Sequence, residues 1–259
     1  VVPGAAYISM AISAVVHMHP AGPHRLQHVT FPQALVLPDA PVGRSVQLVF
    51  ENDSGECGWN LHSLDGDSWV EHAQGSLCVR PADMPGPTLP SGYLNQIRAR
   101  CNRGEMPCTD QPWSDELYRV LWDREYHLQT RFRWLGHIWR GDREAVAEMR
   151  MPLADDGAWS DFELFPGLID SCFQLLASTA FDEFQGTTFI PMWCDQYNYF
   201  GKPAEGTQLY CHAVERKQAE HATKDAMGAD IWLFDANGNK VLEIVNIRMK
   251  KAGANVSAL

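Results

Sequence analysis

One carboxylate and one amide, Asp170 and Gln174, lie in the otherwise apolar residues 165–174. Pro166 and Gly167 favour a helix start, and the apolar residues that follow are typical of a buried helix. Residues four apart share one helical face, so Asp170 and Gln174 are predicted to lie side by side. Burial raises the pKa of a carboxyl group, whereas the dipole of a first helical turn favours its ionised form. Such a group can hold or give a proton near neutral pH.

These residues alone also fit a structural interpretation. A buried carboxylate needs a hydrogen-bond partner, and Gln174 can supply one without any chemistry. Structural polar pairs perturb pKa values as catalytic groups do, so these two residues leave both interpretations open.

Composition and charge exclude several classes of function. The 259 residues are 45% hydrophobic and 20% charged, which is ordinary for a globular protein. A formal net charge of −11 argues against nucleic acid or an anionic membrane as the main partner. No apolar run is long enough to predict a membrane-spanning helix, and residues 5–16 lack the flanks of a signal peptide.

The cysteines and histidines do not predict a metal site. Seven cysteines are spread without a repeating framework, and the spacing of Cys101 and Cys108 is not that of a zinc finger. Free thiols are expected, which favours a cytoplasmic location. His17 and His19 lack cysteine or carboxylate neighbours and are predicted to lie at a solvated helix end.

Hydrophobic periodicity divides the chain into two similar halves. The first half opens with Pro3, Gly4 and an apolar helix, followed by predicted strands at 28–37, 45–51, 58–64 and 69–80. The second half has its apolar helix at Pro166, with predicted strands at 131–140, 145–151, 189–194, 207–215, 226–234 and 240–250. Residues 81–112, rich in Pro, Gly and Ser, are predicted to connect the halves, with a short helix at 93–100. After this connection, Ser114 is predicted to cap a helix that runs to about Glu125.

An apolar helix without polar alternation must be buried on nearly all sides, and a sheet wrapped around it achieves this. We therefore predict an α+β fold of two such units that share one sheet and bring the N-termini of their helices together. The expected division is a first unit at 1–85, a linker at 86–113 and a second unit at 114–259.

Two segments resemble the central-helix signatures of polyketide synthase dehydratase domains. Residues 1–10, VVPGAAYISM, resemble the opening of their first central helix. Residues 164–174, LFPGLIDSCFQ, resemble their second signature, in which a proline precedes Asp-x-x-x-Gln. Similar strand and pocket segments are at 31–37, 132–135, 138–141 and 190–193, so the resemblance extends over almost the whole chain. It implies a double-hotdog fold.

The resemblance also implies an activity and its residues. Such domains remove water from a 3-hydroxyacyl thioester carried on an acyl carrier protein, which gives an enoyl thioester. Asp170 matches their acid and Gln174 the glutamine that orients it. Their base is the histidine of a His-x3-Gly-x4-Pro motif; Pro3 matches its last residue, so that histidine is expected upstream of Val1. The implied substrate-binding residues are Pro3, Gly4, Tyr7, Phe132, Pro166, Pro191 and Trp193.

The sequence departs from the family pattern at the expected pocket. Leu128, Gln129 and Thr130 stand where the family usually has Tyr-Gly-Pro, and Phe165 stands where it often has histidine. Two alternatives therefore stay open. One is a double-bond isomerase or a pyran-forming dehydratase-cyclase, and the other is a non-catalytic module that binds acyl chains.

The expected partners follow from the same resemblance. They are an acyl carrier protein, whose phosphopantetheine carries the substrate, and the neighbouring synthase domains. We expect no dissociable cofactor and no metal, and a homodimer is plausible. Arg98, Arg100 and Arg103 form the clearest basic cluster, either a docking site for the carrier or its phosphate or a solvated loop.

Overall fold

Ten strands form one antiparallel sheet in the computed structural model, with two central helices packed on it. The structure describes residues 1–38, 43–53, 56–79, 84, 86–101, 117–119, 121, 127–152, 158–179, 189–216 and 226–251. The strands are β1 His24–Thr30, β2 Val46–Asp53, β3 Glu56–Asp65, β4 Ser68–Val79, β5 Leu135–Arg140, β6 Glu144–Met149, β7 Phe189–Tyr199, β8 Leu209–Glu215, β9 Ala226–Asp235 and β10 Lys240–Lys251. The helices are α1 Gly4–Met18, α2 Tyr93–Arg100, α3 Pro166–Gln174 and α4 Leu176–Thr179, and short 3-10 helices lie at Thr130–Phe132 and Ala158–Asp161.

The order of the strands shows that the sheet consists of two related halves. From edge to edge the order is β2-β3-β4-β1-β7-β10-β9-β8-β6-β5. In the first half, α1 is followed along the chain by β1 to β4; in the second half, α3 and α4 are followed by β7 to β10. Counted outward from the contact between the halves, the strands are β1, β4, β3 and β2 on one side and β7, β10, β9 and β8 on the other, so both halves have the same order. The halves meet where β1 pairs with β7. This arrangement is the double hotdog that the sequence predicts, with β5 and β6 added beyond β8.

Helix α1 is central because most of its surface is apolar. Ala5, Ile8, Ala11 and Val15 are fully buried, and Pro3 precedes the helix in an extended conformation. Small and branched apolar side chains on several faces leave no polar stripe for solvent. The sheet therefore covers this helix, as expected.

Helix α3 begins at Pro166, and Gly167, the next residue, has almost no space beside it for a side chain. A Cβ atom at Gly167 would overlap the carbonyl oxygen of Arg131. Glycine therefore permits the segment that contains Arg131 to pass directly against the first turn of α3. This close approach positions the neighbouring Phe132 beside the helix.

The hydroxyl of Ser9, in the second turn of α1, donates a 2.6 Å hydrogen bond to the carbonyl oxygen of Leu164, just before α3. The start of α3 thus lies against the second turn of α1, and not against its first residue. The predicted proximity of the two helix N-termini is correct to within about one turn of α1.

Three predicted strands have different bounds in the structure. The strand predicted at 28–37 is β1, His24–Thr30; Pro32 cannot donate to a sheet, and the following residues form only a bridge between Val2 and Leu35. The start of the strand predicted at 131–140 is a 3-10 helix packed on α3. The strand predicted at 189–194 continues to Tyr199.

Other predictions concern the linker. Helix α2 confirms the helix predicted at 93–100. Most of the helix predicted at 114–125 lies outside the described residues, although 117–119 and 121 are helical. The division at 1–85, 86–113 and 114–259 stays a prediction. Among the described helices, none is both long and apolar enough to span a membrane.

Candidate active site

Asp170 and Gln174 lie side by side on α3, as their spacing predicts. The side-chain nitrogen Nε2 of Gln174 donates to Oδ2 of Asp170 at 2.6 Å and to the carbonyl oxygen of Phe132 at 3.0 Å. A backbone carbonyl can only accept, so the contact with Phe132 fixes which end of the amide faces Asp170. Gln174 therefore presents a donor to the carboxyl group.

Asp170 is nearly inaccessible to water, with 5% of its surface exposed. Burial raises the pKa of Asp170 from an ordinary 3.8 to about 6, and the hydrogen bond from Gln174 opposes this rise. Desolvation is the larger effect because the ionised form loses more solvation than one donor replaces. Asp170 can therefore exchange a proton near neutral pH, which is what an acid catalyst requires.

Ser171, which the sequence analysis did not single out, fixes the segment beside Asp170. Its hydroxyl donates to the carbonyl oxygen of Phe132 at 3.1 Å and accepts from the backbone N–H of Trp134 at 3.1 Å. The sequence does contain a signal for the role of Ser171, because a hydroxyl side chain stands next to Asp170 in an otherwise apolar helix. Ser171 and Gln174 thus share one acceptor, the carbonyl oxygen of Phe132.

An aromatic cluster covers the start of α3. The ring of Phe165 lies 6.5 Å from that of Phe132, 5.9 Å from that of Trp134 and 5.3 Å from that of Phe162, between centroids. Pro166 follows Phe165 as the first residue of α3. Phe165, which replaces the histidine often found in the family, therefore contributes an apolar surface here.

A second group of predicted site residues meets at the start of α1. A Cβ atom at Gly4 would lie 3.3 Å from the ring of Phe31 and 3.4 Å from Pro191, so the backbone approaches these side chains closely. Pro3 precedes the helix, and no side chain caps its first turn. The structure thus brings Pro3, Gly4 and Pro191 together, as it brings together Phe132, Pro166, Asp170 and Gln174 at α3.

Tyr7 occupies the position in α1 that Asp170 occupies in α3, because each stands four residues after the proline of a Pro-Gly pair. Its hydroxyl accepts from the N–H of Leu35 at 3.0 Å and donates to the carbonyl oxygen of Val2 at 3.2 Å. This hydroxyl holds the loop after β1 against α1. Of the two related positions, only that of Asp170 carries an acid.

Trp193 lies in a different environment from the other predicted pocket residues. Its indole N–H donates to Asp195 at 2.6 Å, and its ring lies 6.1 Å from that of His28. Asp195 also accepts from the side chain of Asn246 at 2.7 Å. The described contacts of Trp193 join it to this polar cluster and not to Asp170.

The arginines of the linker belong to a helix packed on the sheet. The guanidinium group of Arg98 pairs with Glu148 at 3.2 Å and lies 4.0 Å above the ring of Trp139. Arg100 donates to Glu144 at 2.7 Å and lowers the pKa of that carboxyl group to about 2. Both arginines therefore belong to a helix and not to a loop, although the side chain of Arg100 is 52% exposed to solvent. Arg103 lies outside the described residues.

The described cysteines and histidines are not clustered as metal ligands. His17 and His19 are exposed at the end of α1, as predicted. Within the described ranges, no group of three His, Cys, Asp or Glu side chains is arranged to hold a metal ion. Of the cysteines that the structure describes, all six are free, while Cys108 lies outside these ranges.

Comparison with known proteins defines the class. A family model described as the polyketide synthase dehydratase N-terminal domain matches residues 102–258, and one described as the polyketide synthase dehydratase domain matches residues 1–64. The chain therefore belongs to the polyketide synthase dehydratase family.

Curated relatives of the chain are much longer proteins. It is 29% identical to the highly reducing polyketide synthase lcsB of Purpureocillium lilacinum over 194 residues. These residues cover 70% of this chain and 7% of the relative. It is 25% identical over 252 residues to the mycoketide-CoA synthase of Mycobacterium tuberculosis, which is 95% of this chain and 5% of the relative.

Solved structures confirm the double-hotdog fold. The dehydratase domain from the CurJ module of the curacin polyketide synthase is 30% identical, with a TM-score of 0.83 over 98% of this chain and 84% of that chain. An inactive mutant of the CurJ dehydratase, with a histidine replaced by phenylalanine, aligns at 29% identity and the same TM-score over 100% of this chain and 85% of that chain.

Proposed function

We propose that this protein removes water from a 3-hydroxyacyl thioester carried on the phosphopantetheine of an acyl carrier protein, giving an enoyl thioester. The observation that carries the proposal is the burial of Asp170, which raises its pKa to about 6 and leaves it held by Gln174. A proton donor of this kind is needed because hydroxide is a poor leaving group. Membership of the dehydratase family supports the same reaction.

The proposed reaction needs an acid and a base. Asp170 gives its proton to the β-hydroxyl group, and the carbon–oxygen bond breaks to release water. A base takes the α-proton, whose bonding electrons form the new carbon–carbon double bond. We assign the base to a histidine upstream of Val1, because Pro3 matches the end of the family's histidine motif. The CurJ dehydratase mutant with a histidine replaced by phenylalanine is inactive, which supports a histidine as the base.

The other site residues have proposed supporting roles. Oε1 of Gln174 is buried and has no hydrogen-bond partner among the described residues, so it is available to accept from the substrate hydroxyl group. The uncapped start of α1 at Gly4 offers backbone N–H groups to the thioester oxygen as it gains negative charge. Phe132, Pro166 and Pro191 supply apolar surface for the acyl chain, and Tyr7 holds the loop beside Gly4. Trp193 remains a proposed pocket residue, although its described contacts are with Asp195 and His28.

A direct test is mass-spectrometric detection of water loss from a 3-hydroxyacyl-pantetheine thioester. The protein is assayed with its natural upstream sequence and, in parallel, as residues 1–259. Water loss by the extended form alone is expected, because that form carries the proposed base. A folded extended form that releases no water would favour the non-catalytic acyl-binding module instead.

A second candidate is a double-bond isomerase or a dehydratase-cyclase of the same fold. The observation that favours it is the replacement of Tyr-Gly-Pro by Leu128, Gln129 and Thr130 in the segment before Phe132. The backbone carbonyl of Leu128 accepts two hydrogen bonds from the Arg133 side chain, so this segment has a defined conformation of its own. Chromatographic retention of the product separates an α,β-alkene from a shifted alkene or a pyran.

We further propose that an acyl carrier protein and neighbouring synthase domains are the partners, since the matched relatives are whole synthases. A homodimer and a cytoplasmic location are part of the same proposal. Free thiols in the described part of the chain support a reducing compartment. Sedimentation of the isolated protein tests the dimer.

A further inference from the structure

Tyr118 brings a buried hydroxyl group to the segment that passes along α3. Residues 117–119 and 121 are helical and precede this segment in the chain. Only 9% of the surface of Tyr118 is exposed, and its hydroxyl oxygen accepts a 3.1 Å hydrogen bond from the buried backbone N–H of Leu135. A tyrosine outside both central helices thus holds the start of β5.

The neighbouring N–H group is held in the same way from α3. The backbone N–H of Trp134 donates to the hydroxyl of Ser171 at 3.1 Å, and the hydroxyl of Tyr118 lies beside that of Ser171. Two hydroxyl groups from two different helices therefore accept from the successive N–H groups of Trp134 and Leu135. Because both N–H groups are buried, loss of either acceptor would leave a backbone donor unpaired, and the segment would have to move to satisfy it.

The same segment carries the carbonyl group that orients Gln174. The carbonyl oxygen of Phe132 accepts from the side-chain nitrogen of Gln174 at 3.0 Å, and this nitrogen also donates to Asp170 at 2.6 Å. Phe132 stands three residues before Leu135, so the position of its carbonyl group depends on how the N–H of Leu135 is held. The hydroxyl of Tyr118 is therefore linked to the proposed acid through this segment and Gln174.

The phenol group of Tyr118 stays neutral near pH 7. Burial raises the pKa of Tyr118 above its ordinary 10, and the charge of Asp170 adds to this rise. The hydrogen bond from Leu135, the hydroxyl of Ser171 and the positive charge of Arg133, which lies 5.6 Å from the ring centre, oppose it. Because Tyr118 does not change charge, any effect of its hydroxyl on a titration near neutral pH must pass through another group.

We propose that Tyr118 is a positioning residue for Asp170, because its hydroxyl fixes the segment whose carbonyl group orients Gln174. This inference rests on the proposed function, in which Asp170 is the acid. It extends the site to a helix that neither hotdog signature contains. Tyr118 acts through Leu135 and Gln174 and makes no contact with the acyl thioester.

The first test is a Tyr118→Phe variant, which keeps the ring and removes only the hydroxyl. The N–H of Leu135 then loses its acceptor, so the carbonyl group of Phe132 should shift and orient Gln174 less well. With a weaker donor, the pKa of Asp170 is expected to rise by about 0.5. Carbon-13 NMR titration of the aspartate carboxyl groups measures this pKa, and the spectrum of an Asp170→Asn variant identifies the signal.

Tyr93→Phe is the matched control, because it also removes one hydrogen-bonded hydroxyl from a partly buried tyrosine. Tyr93 lies on α2 and is hydrogen-bonded to Nδ1 of His212 at 2.9 Å, so its hydroxyl holds a different part of the sheet. Both variants are expected to lose stability, but only Tyr118→Phe should raise the pKa of Asp170. A less stable Tyr118→Phe variant with an unchanged pKa of Asp170 would show a merely structural role and overturn the proposal.

A double variant tests whether the effect passes through Gln174. If it does, adding Tyr118→Phe to Gln174→Leu should leave the pKa of Asp170 at the value of Gln174→Leu alone, since the amide that the segment orients is gone. Additive changes in the pKa would show a route that bypasses Gln174 and would contradict the proposed one.

The dehydration rate gives a second readout. In the protein with its natural upstream sequence, Tyr118→Phe should lower the maximal kcat about threefold and leave KM unchanged, because a misplaced acid slows proton transfer without weakening substrate binding. A raised KM at unchanged kcat would overturn the positioning role. If the unaltered protein releases no water, the proposed dehydration fails, whereas the NMR titration still decides whether Tyr118 positions Asp170.

Discussion

Gln174 donates from one nitrogen atom to both Asp170 and the backbone carbonyl of Phe132. The carbonyl cannot donate, so the amide group cannot reverse without losing this contact. Gln174 therefore stabilises the ionised form of Asp170, while burial stabilises the protonated form. The pKa of about 6 is the balance of these two effects.

Removal of the hydrogen-bond donor of Gln174 should change the pKa of Asp170. In a Gln174→Leu variant the carboxylate loses its charged hydrogen bond, so the pKa of Asp170 should rise by about one unit or more. Because the proposed acid works in its protonated form, the high-pH limb of kcat/KM should move upward by a similar amount. An unmoved limb would show that Gln174 does not control this proton. Gln96→Leu, at an exposed glutamine of α2, is the control.

Stability should depend on the charge of Asp170. The pKa of this group is higher in the folded protein than in the unfolded chain, so the folded state binds the proton more tightly. Its ionisation therefore lowers the free energy of unfolding as pH rises from about 4 to 6, by up to about 3 kcal/mol. An Asp170→Asn variant lacks this loss, so its stability relative to the unaltered protein should increase over that range and then stay constant. Denaturant unfolding at a series of pH values measures the difference; a difference independent of pH would contradict the expected shift.

Ser171 should contribute to stability through the segment that it holds. In a Ser171→Ala variant the buried N–H of Trp134 loses its acceptor, and the carbonyl oxygen of Phe132 loses one of its two side-chain donors. The expected loss is about 1–3 kcal/mol in the free energy of unfolding. Ser91→Ala, in the exposed turn before α2, should change it little. Equal stability of the two variants would exclude this role.

Gly167 should tolerate no side chain. The Cβ atom of a Gly167→Ala variant would overlap the carbonyl oxygen of Arg131, so the segment beside α3 must move. Overpacking of this kind typically costs about 1–3 kcal/mol. Gly86→Ala is a matched control because nothing lies within 4 Å of its added atom. Comparable thermal unfolding of both variants would show that the close approach at Gly167 is not needed.

The two halves, the two central helices and the pairing of Asp170 with Gln174 could be predicted because each depends on local pattern. Pro-Gly pairs begin both α1 and α3, and a spacing of four residues places two side chains together on any helix. The sheet follows from the need to cover apolar helices. These features require no knowledge of how distant segments meet.

The rest of the site depends on contacts between segments that are far apart in the chain. The role of Ser171 requires the carbonyl oxygen of Phe132, which is 39 residues away in the chain. Trp193 is a substrate-binding residue only by resemblance of segments, and the sequence could not show that its side chain contacts Asp195 and His28. Arg98 and Arg100 looked free in the sequence because their partners, Glu148 and Glu144, are on a strand far along the chain.

The central claim is that Asp170 supplies the proton that releases water. Its most direct test is the rate of enoyl thioester formation from a 3-hydroxyacyl thioester by the protein with its natural upstream sequence and by the Asp170→Asn variant of that protein. The substitution preserves shape and the acceptor for Gln174 but removes the exchangeable proton, so the rate should fall about 10²- to 10⁴-fold while the variant stays folded. An unchanged rate would contradict the claim and make Asp170 a structural acid.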